Sequence, residues 1–259
     1  MKNVALITGA SSGIGKELAR IHAGKGGDLV LVARREKELT ELKNSLESEY
    51  KISVLVITKD LSDTSTPAEI FAETEKLGIQ VEYLINNAGF GGHGLFHERE
   101  MEKDLSMVNV NITSLMLLTR MYLPGMVKRG TGKILNVSST ASFLPGPLQA
   151  VYYASKAFVT SFSQALAEEL NGTGVTVTAL CPGPVATEFF DTANMHGVKM
   201  LKTQKAMTPA KTAAIGYHDM MKGRLLSFDN GLLKFSLLRI VPFVPQKWVL
   251  KVSRMTMEK

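Results

Sequence analysis

Tyr152 and Lys156 stand four positions apart in residues 151–163, VYYASKAFVTSFS, a stretch that reads as helix. Residues at i and i+4 share one helical face, so a phenol and an ammonium can meet at one site. A neighbouring ammonium favours the phenolate and draws a tyrosine, unperturbed near pH ~10, toward the range where it exchanges a proton with a substrate. An amphipathic helix with one snorkelling lysine satisfies the same spacing, so the pair identifies no reaction by itself. A second group of residues, Gly9-Ala10-Ser11-Ser12-Gly13-Ile14-Gly15, joins the apolar run at 4–8 to helical periodicity that begins at Ile14. Glycines and small hydroxyls there let backbone N–H groups and a helix N-terminus approach a pyrophosphate. The spacing of Gly9, Gly13 and Gly15 differs from G-x-G-x-x-G, and a plain flexible turn is the other reading. A third group is Arg34-Arg35, directly after the apolar run at 29–33. Where such a strand ends beside an adenosine ribose, a carboxylate accepts from the 2′-hydroxyl and an arginine accommodates a 2′-phosphate. Ala33 offers no carboxylate, and two guanidiniums at a helix start oppose its dipole, so a phosphate partner accounts for them better than a plain basic helix start. His93 and His97 have no cysteine or carboxylate cluster at ligand-like spacing. They read as exposed loop residues, and no metal site is expected.

The elements that must hold these groups alternate. Apolar runs at 4–8, 29–33, 53–57, 81–85, 133–137 and 175–180 read as buried strands, with a short one at 225–228. Helical stretches separate them: a charged one at 36–50, one starting at Pro67, a long one at 100–129 with a break expected at Pro124-Gly125, and one at 209–222. Alternation of this kind predicts an α/β fold, a doubly wound parallel sheet flanked by helices on both faces, with sites at the strand C-terminal ends. The 100–129 helix is apolar on more than one face, which calls for burial beyond one stripe and hence for a subunit contact. No linker or internal repeat divides the chain, so a single domain is expected. Residues 188–205 lack a period, as either a substrate-covering loop or ordinary surface would.

Composition narrows the class. Of 259 residues 45% are hydrophobic and 21% charged, values of a globular chain and not of a disordered or fibrous one. Cys181, the single cysteine, excludes an intrachain disulfide and reads as a small buried hydrophobe at a strand end. Only four apolar residues follow Met1-Lys2-Asn3 before Thr8-Gly9 turns the chain, too few for a signal-peptide core. No run approaches the ~18 apolar residues of a membrane span. The expected setting is cytoplasmic. A formal charge of +6 suits anionic partners such as a phosphorylated cofactor, an acidic carrier or a lipid surface. Scattered cations without interleaved aromatics give no reason to expect nucleic acid.

Thr8 to Gly15, Asn86-Asn87-Ala88-Gly89, Asn111, Ser139, Tyr152-x-x-x-Lys156 and Pro182-Gly183, in that order, resemble the short-chain dehydrogenase/reductase family over roughly residues 3–229. The resemblance implies a Rossmann-like fold and an oxidoreductase with Asn111, Ser139, Tyr152 and Lys156 as its catalytic residues. Tyr152 keeps the spacing to Lys156 that Tyr153 does not, and Ser139 lies at the family's distance from Tyr152. Asn111, in Val110-Asn111-Ile112, fits the family's helix motif better than Asn109. In that family the tyrosine protonates the carbonyl oxygen as hydride arrives from the nicotinamide, and the serine hydrogen-bonds the same oxygen. The lysine holds the nicotinamide ribose and lowers the tyrosine pKa, and the asparagine positions a water. Carried over residue by residue, cofactor contacts fall on Gly9, Ser11, Ser12, Gly13, Ile14, Gly15, Arg34, Arg35, Asp60, Leu61, Asn87, Gly89, Tyr152, Lys156, Val185 and Thr187. Ser12 replaces a basic residue found in many NADP-dependent members, so the expectation of NADP(H) rests on Arg34 and Arg35. A homodimer or homotetramer is expected, acting on an apolar carbonyl or alcohol: a 3-oxoacyl group, a steroid-like ketone or an aromatic ketone. The alternative is a catalytically weak NADP(H)-binding regulator. It would not need all four catalytic residues, and a Rossmann-like methyltransferase would lack Tyr-x-x-x-Lys altogether.

Phe143, Leu144, Pro145 and Phe189-Phe190 are candidates for an apolar substrate wall. Residues 1–231 form the expected dehydrogenase domain. Residues 232–259 are an apolar and basic extension, broken at Pro242 and Pro245, too short and charged to span a bilayer and too apolar for a solvated tail. Packing over the substrate pocket, packing on a partner subunit and lying at a membrane surface are its three possible fates.

Overall fold

The computed structural model describes residues 1–203 and 205–259. Gln204, in the stretch read as a substrate-covering loop, lies outside the described residues. Among those described, β1 (Val4–Thr8), β2 (Leu29–Ala33), β3 (Val54–Thr58), β4 (Val81–Asn86), β5 (Gly132–Val137), β6 (Val175–Leu180) and β7 (Leu226–Ser227) form one sheet in the order β3-β2-β1-β4-β5-β6-β7. Every neighbouring pair is parallel. Strands buried on both faces need apolar residues throughout, and the five residues of β1 and of β2 are all buried.

Alternate residues serve opposite layers. Ala5, Ile7, Leu29, Leu31, Leu135 and Val137 pack in one cluster with side chains from α1 (Gly13–Ala23) and α2 (Glu36–Tyr50). Val4, Leu6, Val30, Val32, Leu84 and Ile134 pack on the other face with α3 (Thr66–Lys76). The strand order reverses between β1 and β4, so the loops after these two strands diverge and leave a crevice at their C-terminal ends.

The long apolar helix breaks elsewhere than expected. Residues Met101–Val108 (α4) and Leu115–Arg129 (α5) are α-helical, and a wide π-type turn, Asn109–Ser114, joins them. Pro124 sits inside α5 without ending it; Arg120, four residues earlier, is exposed, so water can take the carbonyl that proline leaves unpaired. After β5 comes α6 (Ala150–Glu169), which carries Tyr152 and Lys156. The aperiodic stretch after β6 holds two short helices, α7 (Phe189–Thr192) and α8 (Lys199–Thr203), and α9 (Pro209–Met221) packs on α1.

The C-terminal extension starts where Asn230 Oδ1 accepts from the backbone N–H of Leu232 and Leu233, at 3.0 and 3.1 Å, capping α10 (Gly231–Phe235). A π turn at Ser236–Ile240 and a 3-10 turn at Val241–Phe243 lead to α11 (Gln246–Met257). Leu237, Val249, Ser253 and Met257 are buried against the body of the protein, and Ser253 Oγ donates to Pro145 O at 2.8 Å. One loop histidine departs from expectation. His93 is half-buried, its Nε2 donating to Met257 O at 2.7 Å, while His97 is exposed as expected. The departure comes from α11, which returns 164 residues later in sequence to cover that loop.

Candidate active site

The glycine turn and the Asn-Asn-Ala-Gly turn are built as one piece. Thr8 Oγ1 accepts from the N–H of Asn87 and Ala88, both at 3.0 Å, and Asn87 Nδ2 donates to Thr8 O at 2.8 Å and Gly9 O at 3.2 Å. Gly9 and Gly13 have φ of +64° and +54°, which side chains other than glycine rarely adopt. A Cβ on Gly15 would meet Gly9 O and Asn87 Nδ2, so this residue sets the closeness of the two turns. Ser12 leads into α1 without a side-chain cap, and no acidic residue stands in the first turn. That helix end therefore faces the crevice with its backbone donors and positive dipole, an arrangement that fits an anionic cofactor group.

Around Tyr152 the side chains converge from three places: α6, the segment after β5 and the π turn at Asn109–Ser114. Tyr152 is 8% exposed and its hydroxyl is hydrogen-bonded to Ser139, which caps the short turn Thr140–Phe143 by accepting from Ala141 N at 3.1 Å. Ser138 faces the opposite way, donating to Lys156 O at 2.9 Å and lying 2.6 Å from Thr160 Oγ1. Lys156 Nζ donates to Val137 O at 2.8 Å and lies 5.9 Å from the centroid of the Tyr152 ring. Asn111, in the π turn, holds the strand-end loop: its Oδ1 accepts from Phe90 N at 3.1 Å, and its Nδ2 donates to Phe90 O and Ser155 Oγ, each at 3.0 Å. A Cβ on Gly89 would stand 3.1 Å from Asn111 Oδ1 and 3.2 Å from Lys156 Nζ, so glycine there leaves the lysine its room.

Burial governs the titrations. It brings the Lys156 ammonium down to about 8, since a charge without water is disfavoured. It also pushes the Tyr152 phenol far above its ordinary range, a shift that the Ser139 hydrogen bond opposes. The sequence reading had Lys156 lowering the tyrosine; in the folded chain burial outweighs such an effect, and the phenol holds its proton. Cys181 is fully buried at the end of β6 and its thiol is pushed up to about 12, an inert packing residue.

These groups line a single cavity of about 1090 Å³. Of the residues read from sequence, Gly9, Ser11, Ser12, Gly13, Ile14, Arg34, Arg35, Asp60, Leu61, Asn87, Gly89, Ser139, Tyr152, Lys156, Val185 and Thr187 lie on its wall. Gly15 and Asn111 stand behind it. At one end Arg35 donates to Ser11 Oγ from Nε and Nη2, both at 3.2 Å, and pairs with Glu188 at 3.1 Å, while Arg34 lies 3.7 Å from Asp60. Leu144 and Phe189-Phe190 reach the wall at the other end; Phe143 packs at a tilt against the Phe228 ring, 5.5 Å between centroids, and Pro145 takes the Ser253 hydrogen bond instead.

Two contributions escaped the sequence reading. Glu188 reaches Arg35 across 153 positions. Asp229 accepts from Gly183 N at 3.0 Å and Thr212 Oγ1 at 2.9 Å, anchoring the Pro-Gly loop, with no local signal to mark it. The extension lines the cavity with Leu237, Val241, Val244 and Val249, the first of the three fates that its apolar crowding suggests. Among the described residues no group of three His, Cys, Asp or Glu could hold a metal ion, and no helix is long and apolar enough to cross a membrane.

The very-long-chain 3-oxoacyl-CoA reductase of Rattus norvegicus is 37% identical over 190 residues, 71% of this chain and 60% of that protein. The chain thus spans about three fifths of that relative's length. Sulfoacetaldehyde reductase 2 of Chromohalobacter salexigens is 38% identical over 194 residues, 73% of this chain and 75% of its own. Among solved structures, a short-chain dehydrogenase from Sphingobium yanoikuyae in complex with NADPH superposes with a TM-score of 0.82 at 29% identity, covering 94% of this chain and 96% of that one. The family model for short chain dehydrogenase matches residues 3–197, three quarters of the sequence and every strand from β1 to β6. With the parallel sheet and the order of its turns, that match makes the chain a member of the short chain dehydrogenase family.

Proposed function

We propose that the protein is an NADP(H)-dependent oxidoreductase that interconverts a carbonyl and an alcohol on an apolar substrate, with residues 1–231 as the dehydrogenase body and 232–259 as a cover over its pocket. The observation that carries this reading is one cavity with a phosphate-compatible glycine turn and two arginines at one end, Tyr152, Ser139 and Lys156 in the middle, and apolar side chains at the other. Its volume exceeds the upper end of ordinary single-ligand pockets, ~300–1000 Å³, as needed for a dinucleotide and a substrate together. The NADPH complex of the Sphingobium yanoikuyae relative and the 3-oxoacyl-CoA substrate named for the rat relative agree with it.

Gly9, Ser11, Ser12, Gly13, Ile14 and Gly15 hold the pyrophosphate. Asp60 and Leu61 meet the adenine, Asn87 and Gly89 the ribose, and Val185 and Thr187 the carboxamide. Arg34 and Arg35 take the 2′-phosphate. Bound NADPH supplies hydride to the carbonyl carbon. Tyr152 gives its proton to the carbonyl oxygen, and the protonated phenol that burial enforces is the form this direction needs. Ser139 Oγ hydrogen-bonds the same oxygen. Lys156 binds the nicotinamide ribose and its charge stabilises the tyrosinate left behind. Asn111 fixes the loop at Phe90 and positions a water that connects Lys156 to solvent.

A panel of ketones and 3-oxoacyl thioesters of graded length, followed through NADPH absorbance, tests the reaction. Consumption of NADPH with long apolar members is expected, and indifference to every carbonyl would leave only a cofactor-binding protein. For the cofactor, each charge-assisted hydrogen bond to the 2′-phosphate is worth ~1.5–3 kcal/mol. Arg34→Ala should therefore weaken NADPH by about 10- to 100-fold and NADH little, and equal affinity of the unmodified protein for both would refute the preference. The partly open face around Leu105 and Met116 of α4 and α5, 56% and 39% exposed, is where a homodimer contact would bury apolar surface, with sedimentation mass as its measure.

A further inference from the structure

The residues that cover the pocket also carry an outer surface that the proposed reaction does not use. Residues 231–259 hold six cations and one carboxylate, Glu258, and so account for +5 of the chain's formal +6. On that segment Leu232 is 83% exposed, Phe243 85%, Phe235 61% and Trp248 63%. Lys234, Arg239, Lys247, Lys251 and Arg254 are exposed among them. The helix α11 sorts its side chains by angle. Val249, Ser253 and Met257 face the body; Trp248, Val252 and Met255 form an exposed apolar line beside them; Lys247, Lys251 and Arg254 form a cationic line next to that. Ile240, Trp248 and Val252 belong to both worlds, lining the cavity while 48%, 63% and 55% exposed.

We propose that this face of residues 231–257 docks on an anionic lipid surface, with Phe243 and Trp248 entering the headgroup layer and the lysines and arginines meeting lipid phosphates. Large apolar side chains in an exposed cluster mark a docking surface, and the charge decides its partner. A second copy of the chain would meet this patch with itself in a two-fold contact, setting five cations of one protomer against five of the other with a single carboxylate on each, Glu258, which pairs with Arg254 at 3.5 Å. A bilayer with anionic headgroups supplies the missing charge and accepts aromatic rings at its boundary, while lysine and arginine stems lie along the apolar region with their heads at phosphate level. Because Ile240, Trp248 and Val252 line the cavity and are exposed as well, docking would place this side of the cavity against the lipid. This extends the functional reading without depending on it, since lipid attachment needs neither cofactor nor catalysis.

Trp248 is the only tryptophan in the chain, so its fluorescence reports the contact. The full-length protein is mixed with phosphatidylcholine vesicles containing or lacking phosphatidylserine. Anionic vesicles should sediment the protein and shift Trp248 emission to the blue, an effect that added salt weakens, and neutral vesicles should do neither. Each surface cation contributes about fivefold to partitioning, so K247Q with K251Q should lower it about 25-fold while the circular dichroism melting curve is unchanged. F243S should lower it further without altering the salt dependence. Absence of sedimentation and of a blue shift would overturn the proposal. So would a blue shift that grows with protein concentration alone and accompanies a doubled mass, which would assign the face to a second copy; a fluorescence shift unchanged in K247Q/K251Q would equally remove the anionic lipid.

Discussion

At the scale of single residues, burial moves the pKa values of Tyr152 and Lys156 in opposite directions, and the proposed reaction rests on this pair. Tyr152 stays protonated, so replacing it with phenylalanine removes the proton and little else. General acid catalysis is worth ~10²–10⁴-fold, and Tyr152→Phe should lose at least about that much turnover while NADPH titration is unchanged; an active Tyr152→Phe beside an inactive Tyr153→Phe would reassign the donor. Lys156 carries a stability signature. Its folded value of about 8 lies below the ordinary 10.5, so between those pH values the unfolded chain binds more protons and stability rises with pH. Below about 8 the buried charge costs its full amount, on the order of 3 kcal/mol. In cofactor-free protein, the stability advantage of Lys156→Met should therefore be largest near about pH 7 and shrink toward about pH 10, as urea midpoints would show; a constant difference would mean the lysine is not buried as a charge. Most of this candidate site was legible through the order of motifs that the chain shares with its family, since the spacing of Tyr152 and Lys156 alone identifies no reaction. Ser139 is preferred to Ser138 because its distance from Tyr152 matches the family's, and the hydrogen bond to Tyr152 lies on Ser139. Glu188 and the half-buried His93 were not legible, since each is defined by a partner more than 150 positions away.

At the scale of elements, what the pattern of apolar residues could show was existence and order, because strands buried on both faces must be apolar along their length. Details that depend on tertiary partners were not encoded locally. The wide turn at Asn109–Ser114 exists where Asn111 turns inward to hold Phe90, and Pro124, the obvious helix breaker, lies where solvent can absorb its defect. The last strand pairs over two residues only, Leu226 and Ser227, with Ala179 and Leu180 of β6. In the extension a short helix of five residues cannot hold itself together, so α10 depends on its cap. Asn230→Ala should cost about 1 kcal/mol, felt locally. Amide exchange should quicken across residues 231–257 and remain as before in β1 to β6; uniform quickening would show that the cap supports the whole fold, and none that the segment is held by its apolar contacts alone.

At the scale of the whole molecule, the seven-stranded body and the extension divide the cavity between them. The body supplies the glycine turn, the arginines and the Tyr152 group, whereas Leu237, Val241, Val244 and Val249 close the apolar end. Cofactor binding and apolar recognition should then be separable. Each substrate methylene buried against these side chains contributes about 0.8 kcal/mol, close to fourfold in kcat/KM when it is bound in the transition state as well. For the full chain, log kcat/KM should rise steadily along a homologous series of ketones until the cavity is filled. Ending the chain after Asn230 leaves the strands and their pairing untouched, yet removes Val249 and its neighbours from the wall and uncovers Pro145 and His93, which α11 hydrogen-bonds through Ser253 and Met257. The shortened protein should bind NADPH as before and reduce short ketones, with the chain-length slope flattened toward zero and solubility lowered by the newly exposed apolar wall. An unchanged slope in soluble truncated protein would mean that the apolar end is read by the body, through Leu144 and Phe189, and that the extension serves only the outer surface.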